Sequence, residues 1–255
     1  MINEKFEIFL TGSSLKWLAI SAMFINHFGD TVLKGIIMNA PYSAFSDAQF
    51  MVLSNFFTVF HAIGRISMPI FCFLIVEGFI HTHDVKGYLT RLGLFALISE
   101  IPYDLAFGSS WLDFNQQNVF FTLTMGLLVL ILIDKFKRTP AIALALTIAA
   151  SIAAYYLKFD GSYYGIIMIA LFYVFREHRL LQCLGVIILQ IAIMLIFREQ
   201  FDLNSIFSMA PLIPIYLYNG KRGMGLKYFF YVFYPAHLLI LSLITRFIVI
   251  PFNQT

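Results

Sequence analysis

Apolar residues follow one another along this chain in long blocks, which are separated by short polar or proline-containing stretches. At roughly 20 residues per membrane crossing, the chain has room for about nine spans. We predict spans at about Leu15–Phe28, Asn55–Ile80, Tyr88–Phe107, Asn118–Ile133, 140–157, Tyr163–Phe175, Leu180–Phe197, Asn204–Tyr218 and Tyr228–Ile250. The stretch from the first span to about Leu53 is predicted to be an external loop or a surface-lying segment. Pro102 predicts a kink in the third span, and Pro211 and Pro214 predict a break in the eighth.

The composition excludes a soluble protein. Of the 255 residues, 60% are hydrophobic and only 12% are charged, whereas soluble domains contain about 25% charged residues. We therefore predict an all-α, polytopic membrane helical bundle that forms one membrane-embedded domain, residues 1–255. The spans leave no room for a separate DNA-binding module, and the net charge of +3 does not indicate a nucleic-acid partner. Cys72 and Cys183 lie inside apolar blocks, so we expect no disulfide.

The loop charges predict the orientation. If the N-terminus is inside, twelve cations lie at inner ends and three in outer loops, which is a strong positive-inside bias. The inner set is Lys5, Lys16, Lys86, Arg91, Lys135, Lys137, Arg138, Arg176, Arg179, Lys221, Arg222 and Lys227. The outer set is Lys34, Lys158 and Arg198. Nine spans then place the C-terminus outside.

Ionisable groups inside the spans are the main functional signal, because such groups are costly in hydrocarbon and usually face a cavity or a partner. Lys16 and His27 are eleven residues apart, about three helical turns and 20°, so they share one face of the first span about 16.5 Å apart. This spacing suits a long cofactor with a phosphorylated head and a reactive tip, such as acyl-coenzyme A. A snorkelling lysine and a histidine satisfied by a neighbouring helix are the alternative.

Asn26 and Asp30 flank His27, and Asp30 can approach the same face of the helix and hold one imidazole tautomer. Asp30 is alternatively only the polar end of the span. On the ninth span, His237 lies near the membrane midplane, where it could share a site with His27. We expect His237 and the nearby Tyr234 to bind the substrate.

The second span carries Arg65 well inside the membrane, so a carboxylate partner is expected. Glu100 and Asp104 on the third span are the candidates, either as a structural ion pair or as part of an acceptor-binding cavity. Asn118 meets the membrane at the same outer level and joins this predicted substrate-binding group. Asp160 lies in a predicted outer turn.

Glu77 and His81 lie near the inner surface, and with Lys16 and Arg91 we expect them to bind the donor. His83 and Asp84 follow closely and raise the alternative of a metal site. Their spacing matches no strong zinc pattern, so we predict no metal.

Several blocks of the chain, in order, resemble the TraX family of conjugal-transfer membrane proteins. They are Leu15-Lys16 with Asn26-His27-Phe28-Gly29, Gly64-Arg65 with the run 73–79, residues 88–92 with 96–104, residues 118–123, and the closing block 231–238. The middle, roughly 135 to 225, resembles the family only in hydropathy and in Asp160.

The resemblance implies a membrane acetyltransferase of the bacterial inner membrane that N-acetylates pilin, with acetyl-CoA as donor. The family looks like a branch of the transmembrane acyltransferases, in which a basic residue precedes a histidine by eleven positions on the first span, as Lys16 precedes His27. Related sequences commonly carry an acidic residue directly before the histidine, and this chain has Asn26 there. If that acid tunes the histidine, either Asp30 takes over its role or His27 is a weaker base.

We therefore hypothesise transfer of acetyl from cytoplasmic acetyl-CoA to an amine or hydroxyl acceptor at the outer face, such as a pilin N-terminus. In this hypothesis His27 is the general base, Asp30 or Asn26 orients it, and Arg65, Asn118 or Tyr234 stabilises the oxyanion. A covalent acetyl-histidine intermediate is the alternative route. Two other classes stay open, namely a proton-coupled transporter or flippase and a non-catalytic pilin assembly factor.

Overall fold

The computed structural model of the chain describes residues 10–39, 41, 45–108, 110–198, 200–225 and 227–249. Its helices are α1 Gly12–Phe28, α2 Lys34–Asn39, α3 Asp47–Gly64, α4 Ser67–His81, α5 Val85–Phe107, α6 Val119–Lys135, α7 Pro140–Tyr156, α8 Ser162–Val174, α9 Arg179–Phe197, α10 Leu203–Met209, α11 Leu212–Tyr216 and α12 Lys227–Ile244. Short π-helices, Gly29–Leu33 and Thr245–Val249, follow α1 and α12. Within the described ranges there are two isolated β-bridges and no strand, so the all-α prediction is confirmed.

The first helix is longer than predicted. Thr11 caps α1 in a reciprocal arrangement with Ser14, and the helical path continues through the π-helix and α2 as far as Asn39. Residues 29–39, and those from Asp47 onward, are therefore helical and do not form the predicted external loop, while the alternative of a surface-lying segment stays a prediction. Ser46 and Gln49 form a capping box that starts α3. Polar residues that begin or widen a helix resemble loop residues in the sequence.

The predicted second span consists of two helices. The break falls at Arg65 and Ile66, after which Ser67 Oγ donates to the Gly64 carbonyl over 2.6 Å. Pro69 lies in the first turn of α4, where the missing N–H of a proline is tolerated.

The other predicted spans correspond to helices, with Pro102 inside α5 and Pro211 between α10 and α11. Among the described residues, Asp47–His81, Arg179–Phe197 and Tyr228–Val249 are long and apolar enough to cross a membrane. Three shorter apolar helices are Pro140–Tyr156, Ser162–Val174 and Leu203–Tyr216. The count of nine spans and the inward N-terminus stay predictions. Lys5, the side chain of Lys227 and the predicted end at Ile250 lie outside the described residues.

The core lies around α4, which packs against α1, α6 and α8. Phe73 of α4 is fully buried and meets Phe172 of α8 edge to face. A Cβ at Gly126 of α6 would overlap Ile169 of α8, so a small residue permits this close helix contact. On the other side α12 packs along α5 and touches α1. Helices α1, α4, α5, α6 and α12 thus surround the interior that holds the candidate site.

Candidate active site

The two midplane histidines lie in one site. His27 Nδ1 and His237 Nε2 are 2.7 Å apart, and the two rings are nearly parallel. Both side chains are buried, and Phe107 presents an edge to the His27 ring. His237 Nδ1 lies 2.7 Å from the carbonyl oxygen of Phe233, one turn earlier on α12. The histidine of the first helix is therefore held by the last.

Asp30 and Asn26 do not orient His27 in the structure. Asn26 Nδ2 donates to Asp30 Oδ2 over 2.7 Å, and Asp30 Oδ1 lies 3.7 Å from His61 Nδ1 on α3. Asp30 follows Asn26 by four residues, so the two side chains lie one turn apart and bond to each other, although Asp30 and His27 line the same cavity. The expected contact between Asp30 and His27 is thus replaced by one between Asp30 and His61.

The predicted pairing of Arg65 with Glu100 or Asp104 is also wrong. Arg65 Nη2 donates to His61 Nε2 over 3.2 Å, and its charge acts on the Asp160 carboxylate at the α7–α8 turn. Burial raises the pKa of Asp160 to about 6, and Arg65 opposes that rise. Arg65 thus contacts His61 one turn earlier, and its charge acts on Asp160 rather than on a carboxylate of α5.

Glu100, Asp104 and Asn118 hold helices together. Asn118 caps α6 by accepting from the Phe120 N–H, and its amide donates to the Ala96 carbonyl and to Glu100. The Asp104 carboxylate accepts from the backbone N–H of Asp113 over 2.9 Å. None of the three lines either of the two cavities described next. The structure therefore gives these three residues structural contacts, and their role in substrate binding stays a prediction.

The first cavity, the Lys16 pocket, has a volume of about 480 Å³. It brings together all four residues predicted to bind the donor, Lys16, Glu77, His81 and Arg91. Arg222 of the α11–α12 loop also lines it. From the sequence, Arg222 was predicted only to be a cation at an inner loop. Its position in the pocket could not be predicted, because a loop between spans has no periodic sequence pattern.

That loop is fixed to the start of α1. Gly12 N–H donates to the Lys221 carbonyl over 2.8 Å, and Ser13 N–H donates to the Arg222 carbonyl over 3.0 Å. Gly223 adopts a positive φ of 72°, which glycine allows without strain. Because the first N–H groups of α1 are already bonded, positive charge in the pocket comes from side chains rather than from the helix end.

The second cavity, the His27 cavity, is larger, about 1340 Å³, and more polar. His27, Asp30, His61, Arg65 and Asp160 line it. It therefore places an imidazole beside carboxylates and a guanidinium in one space. In the part of the chain that the structure describes, no group of three or more histidine, cysteine or acidic side chains has the arrangement of a metal site.

A thin partition separates the two cavities. Met23, Phe71, Val119 and Tyr234 line both of them, and we call these four residues the partition. Tyr234 is 3% exposed, and its hydroxyl has no hydrogen-bond partner among the described residues. Lys16, Met23 and His27 are spaced seven and four residues apart, so they share one face of α1. That face runs from one cavity past the partition into the other.

Comparison with known proteins agrees with the resemblance to the TraX family that the sequence indicates. A family model described as TraX protein matches residues 11–245. The chain is 30% identical over 202 residues to the "Probable fimbrial assembly protein FimC, serogroup H1" of Dichelobacter nodosus, a match that covers 70% of this chain and 80% of that protein. No solved structure matches the chain.

Proposed function

Because the chain belongs to the TraX family, we propose that it is a membrane acetyltransferase that moves acetyl from acetyl-CoA in the Lys16 pocket to an acceptor in the His27 cavity. The observation that carries this proposal is one helix face with a cation at one end, an imidazole at the other, and a cavity around each. The two cavities provide separate sites for donor and acceptor, with only the partition between them.

The Lys16 pocket suits the donor. Lys16, Arg91 and Arg222 supply cations for phosphate groups, and charge-assisted hydrogen bonds to phosphate are among the stronger polar contacts. Farther in, the apolar side chains of Ile20 and Leu123 line the pocket and suit the pantetheine arm. The thioester then lies at the partition, one or two helical turns from His27, while the nucleotide stays at the mouth.

The His27 cavity suits an amine acceptor. Its carboxylates, Asp30 and Asp160, attract an ammonium group, and Arg65 accommodates an anionic group beside it. The relative in Dichelobacter nodosus is named as a fimbrial assembly protein. We therefore take a pilin-like peptide amine as the first acceptor to test, with other amines and hydroxyls as alternatives.

In the reaction, the acceptor nitrogen attacks the thioester carbonyl as His27 takes its proton. The C–N bond forms and the C–S bond breaks. The leaving thiolate of coenzyme A then takes up the proton, so the products are an amide and free coenzyme A. The unpartnered Tyr234 hydroxyl is the donor best placed to stabilise the oxyanion.

The proposed location is the bacterial inner membrane, crossed about nine times with the N-terminus inside. Twelve inner against three outer cations support this orientation. It places the Lys16 pocket on the cytoplasmic side, where acetyl-CoA is made. It also places the His27 cavity toward envelope acceptors.

The test is transfer of radiolabelled acetyl from acetyl-CoA to a peptide amine by purified protein in lipid vesicles. His27→Ala is expected to lower kcat by about 10² to 10⁴ because it removes the general base. His178→Ala is the matched control, since His178 is exposed at the α8–α9 turn and is expected to leave the rate unchanged. A folded His27→Ala protein with the wild-type rate would overturn the proposal.

A non-catalytic assembly factor is the second candidate, favoured by the name of the relative, a fimbrial assembly protein. It predicts binding of an acceptor peptide with equal affinity in the wild type, His27→Ala and Lys16→Ala, and no labelled product from any of them.

A transporter is the third candidate, because two cavities on either side of a thin partition also suit alternating access. It predicts uptake of a solute into vesicles without any acetylated product. The same preparation thus separates all three candidates.

A further inference from the structure

Two hydrogen bonds define where the protons lie in the histidine pair. The Phe233 carbonyl oxygen can only accept, so His237 Nδ1, 2.7 Å away, must donate to it. A neutral imidazole carries one N–H, and Nε2 of His237 is therefore an acceptor. The 2.7 Å contact to His27 Nδ1 then requires a proton on His27 Nδ1. The other nitrogen of His27, Nε2, is left with a free lone pair.

A doubly protonated His237 would reverse this result, because its Nε2–H would donate to His27 and leave the proton of His27 on Nε2. The surroundings argue against that form. The His237 ring stacks on Phe233 with centroids 4.7 Å apart and also contacts Phe24. A charged imidazole that is 4% exposed and faces aromatic rings instead of a carboxylate is costly.

We propose that His237 is the positioning residue of this site and that it holds His27 in the tautomer with Nδ1 protonated and Nε2 unprotonated. This inference deepens the proposed function, since Nε2 is the atom that would take the acceptor proton. The orientation of the His27 ring therefore comes from α12, since Asn26 and Asp30 bond to each other instead.

The contacts of the His27 ring also show which cavity and which side chains surround it. His27 lines the larger cavity, its Nδ1 is turned to His237, and Nε2 takes part in none of the hydrogen bonds of the described residues. Tyr234 lies edge-on to the His27 ring, with centroids 6.0 Å apart. The His27 and Tyr234 rings therefore lie side by side at the partition.

The first test is nitrogen NMR of histidine-labelled protein in lipid vesicles, with His27 assigned by its loss in His27→Gln. In the wild type we expect a protonated Nδ1 and an unprotonated Nε2 for His27. In His237→Ala, Nδ1 loses its acceptor and the tautomer is no longer fixed, so the Nε2–H signal should appear. His178→Ala should leave the His27 signals in place.

The second test is kinetic. His237→Ala should lower kcat about tenfold or more and leave KM for acetyl-CoA unchanged, because His237 does not line the Lys16 pocket. His237→Gln should recover part of the loss, since its side-chain oxygen can accept from His27 Nδ1–H. A merely structural role for His237 would change neither the tautomer nor kcat selectively.

The two proposals fail in different ways. A wild-type His27 with its proton on Nε2 would overturn the positioning role, whatever the activity. A His237→Ala protein with unchanged His27 signals would overturn it as well. The expected tautomer in a protein that transfers no acetyl to any acceptor supports the histidine pair and overturns the acetyltransferase.

Discussion

Asp160 is a carboxyl group whose surroundings disfavour its ionised form. It lies at the α7–α8 turn, outside the helices, and burial raises its pKa to about 6 despite Arg65 nearby. In the unfolded chain its pKa is near 3.8. The folded state therefore holds this proton over a range where the unfolded state has released it. The stabilisation that the folded state gains from this retained proton on Asp160 is fully present below about pH 4 and is lost as pH rises toward 6.

We expect the wild type to lose stability relative to Asp160→Asn between pH 4 and pH 6, by up to about 3 kcal/mol at 1.36 kcal/mol per pKa unit. Above pH 6 the difference should be constant. Thermal unfolding in detergent across this range measures it. Asp47→Asn is the control, because Asp47 is exposed in the first turn of α3 and should keep the wild-type slope. Parallel pH profiles for the wild type and Asp160→Asn would contradict the expectation.

Single residues show how far the sequence alone could lead. The depth of His27 and His237 in their spans predicted that they could share a site, since depth follows from residue count along a helix. The partner of Arg65 could not be predicted, because a contact between side chains of different elements depends on how those elements pack. The same holds for Asp30, which lies near His61 of α3.

The contact between helices α1 and α3 depends on a glycine. A Cβ at Gly64 would overlap the side chain of Asn26, the residue that donates to Asp30. This close approach brings the Asp30 and His61 side chains together beside the larger cavity. The sequence suggested helices in this region, but not how closely they approach, since that depends on the packing of two elements.

Gly64→Ala should therefore destabilise the fold by about 1–3 kcal/mol through overpacking and should lower acetyl transfer through displaced Asn26 and Asp30. Gly93→Ala in α5 is the matched control. Its Cβ would meet only Thr124, at 3.9 Å, and alanine is favoured over glycine inside a helix by about 1 kcal/mol. Chemical denaturation and the transfer assay together measure both effects. Equal stability of the two variants would show that the α1–α3 contact tolerates a methyl group.

At the scale of the whole molecule, the proposed reaction requires the two cavities to open toward opposite sides of the membrane. The Lys221 loop packs on the start of α1, whereas Ser110 lies between α5 and α6 at the other end of the bundle. The hydropathy pattern and the loop charges predicted these ends. The cavities and the partition could not be predicted, because they arise from side chains of helices far apart in the chain.

Cysteine labelling tests this two-sided arrangement. Ser110→Cys and Lys221→Cys each place a thiol on an exposed position, while the native Cys72 and Cys183 are buried and give a low background. A membrane-impermeant maleimide should label Ser110→Cys in intact spheroplasts and Lys221→Cys only in inverted vesicles. Detergent-solubilised protein is the control and should label at both positions. Labelling of both cysteines from the same face would place donor and acceptor on one side, and transfer across the bilayer would then lose its structural basis.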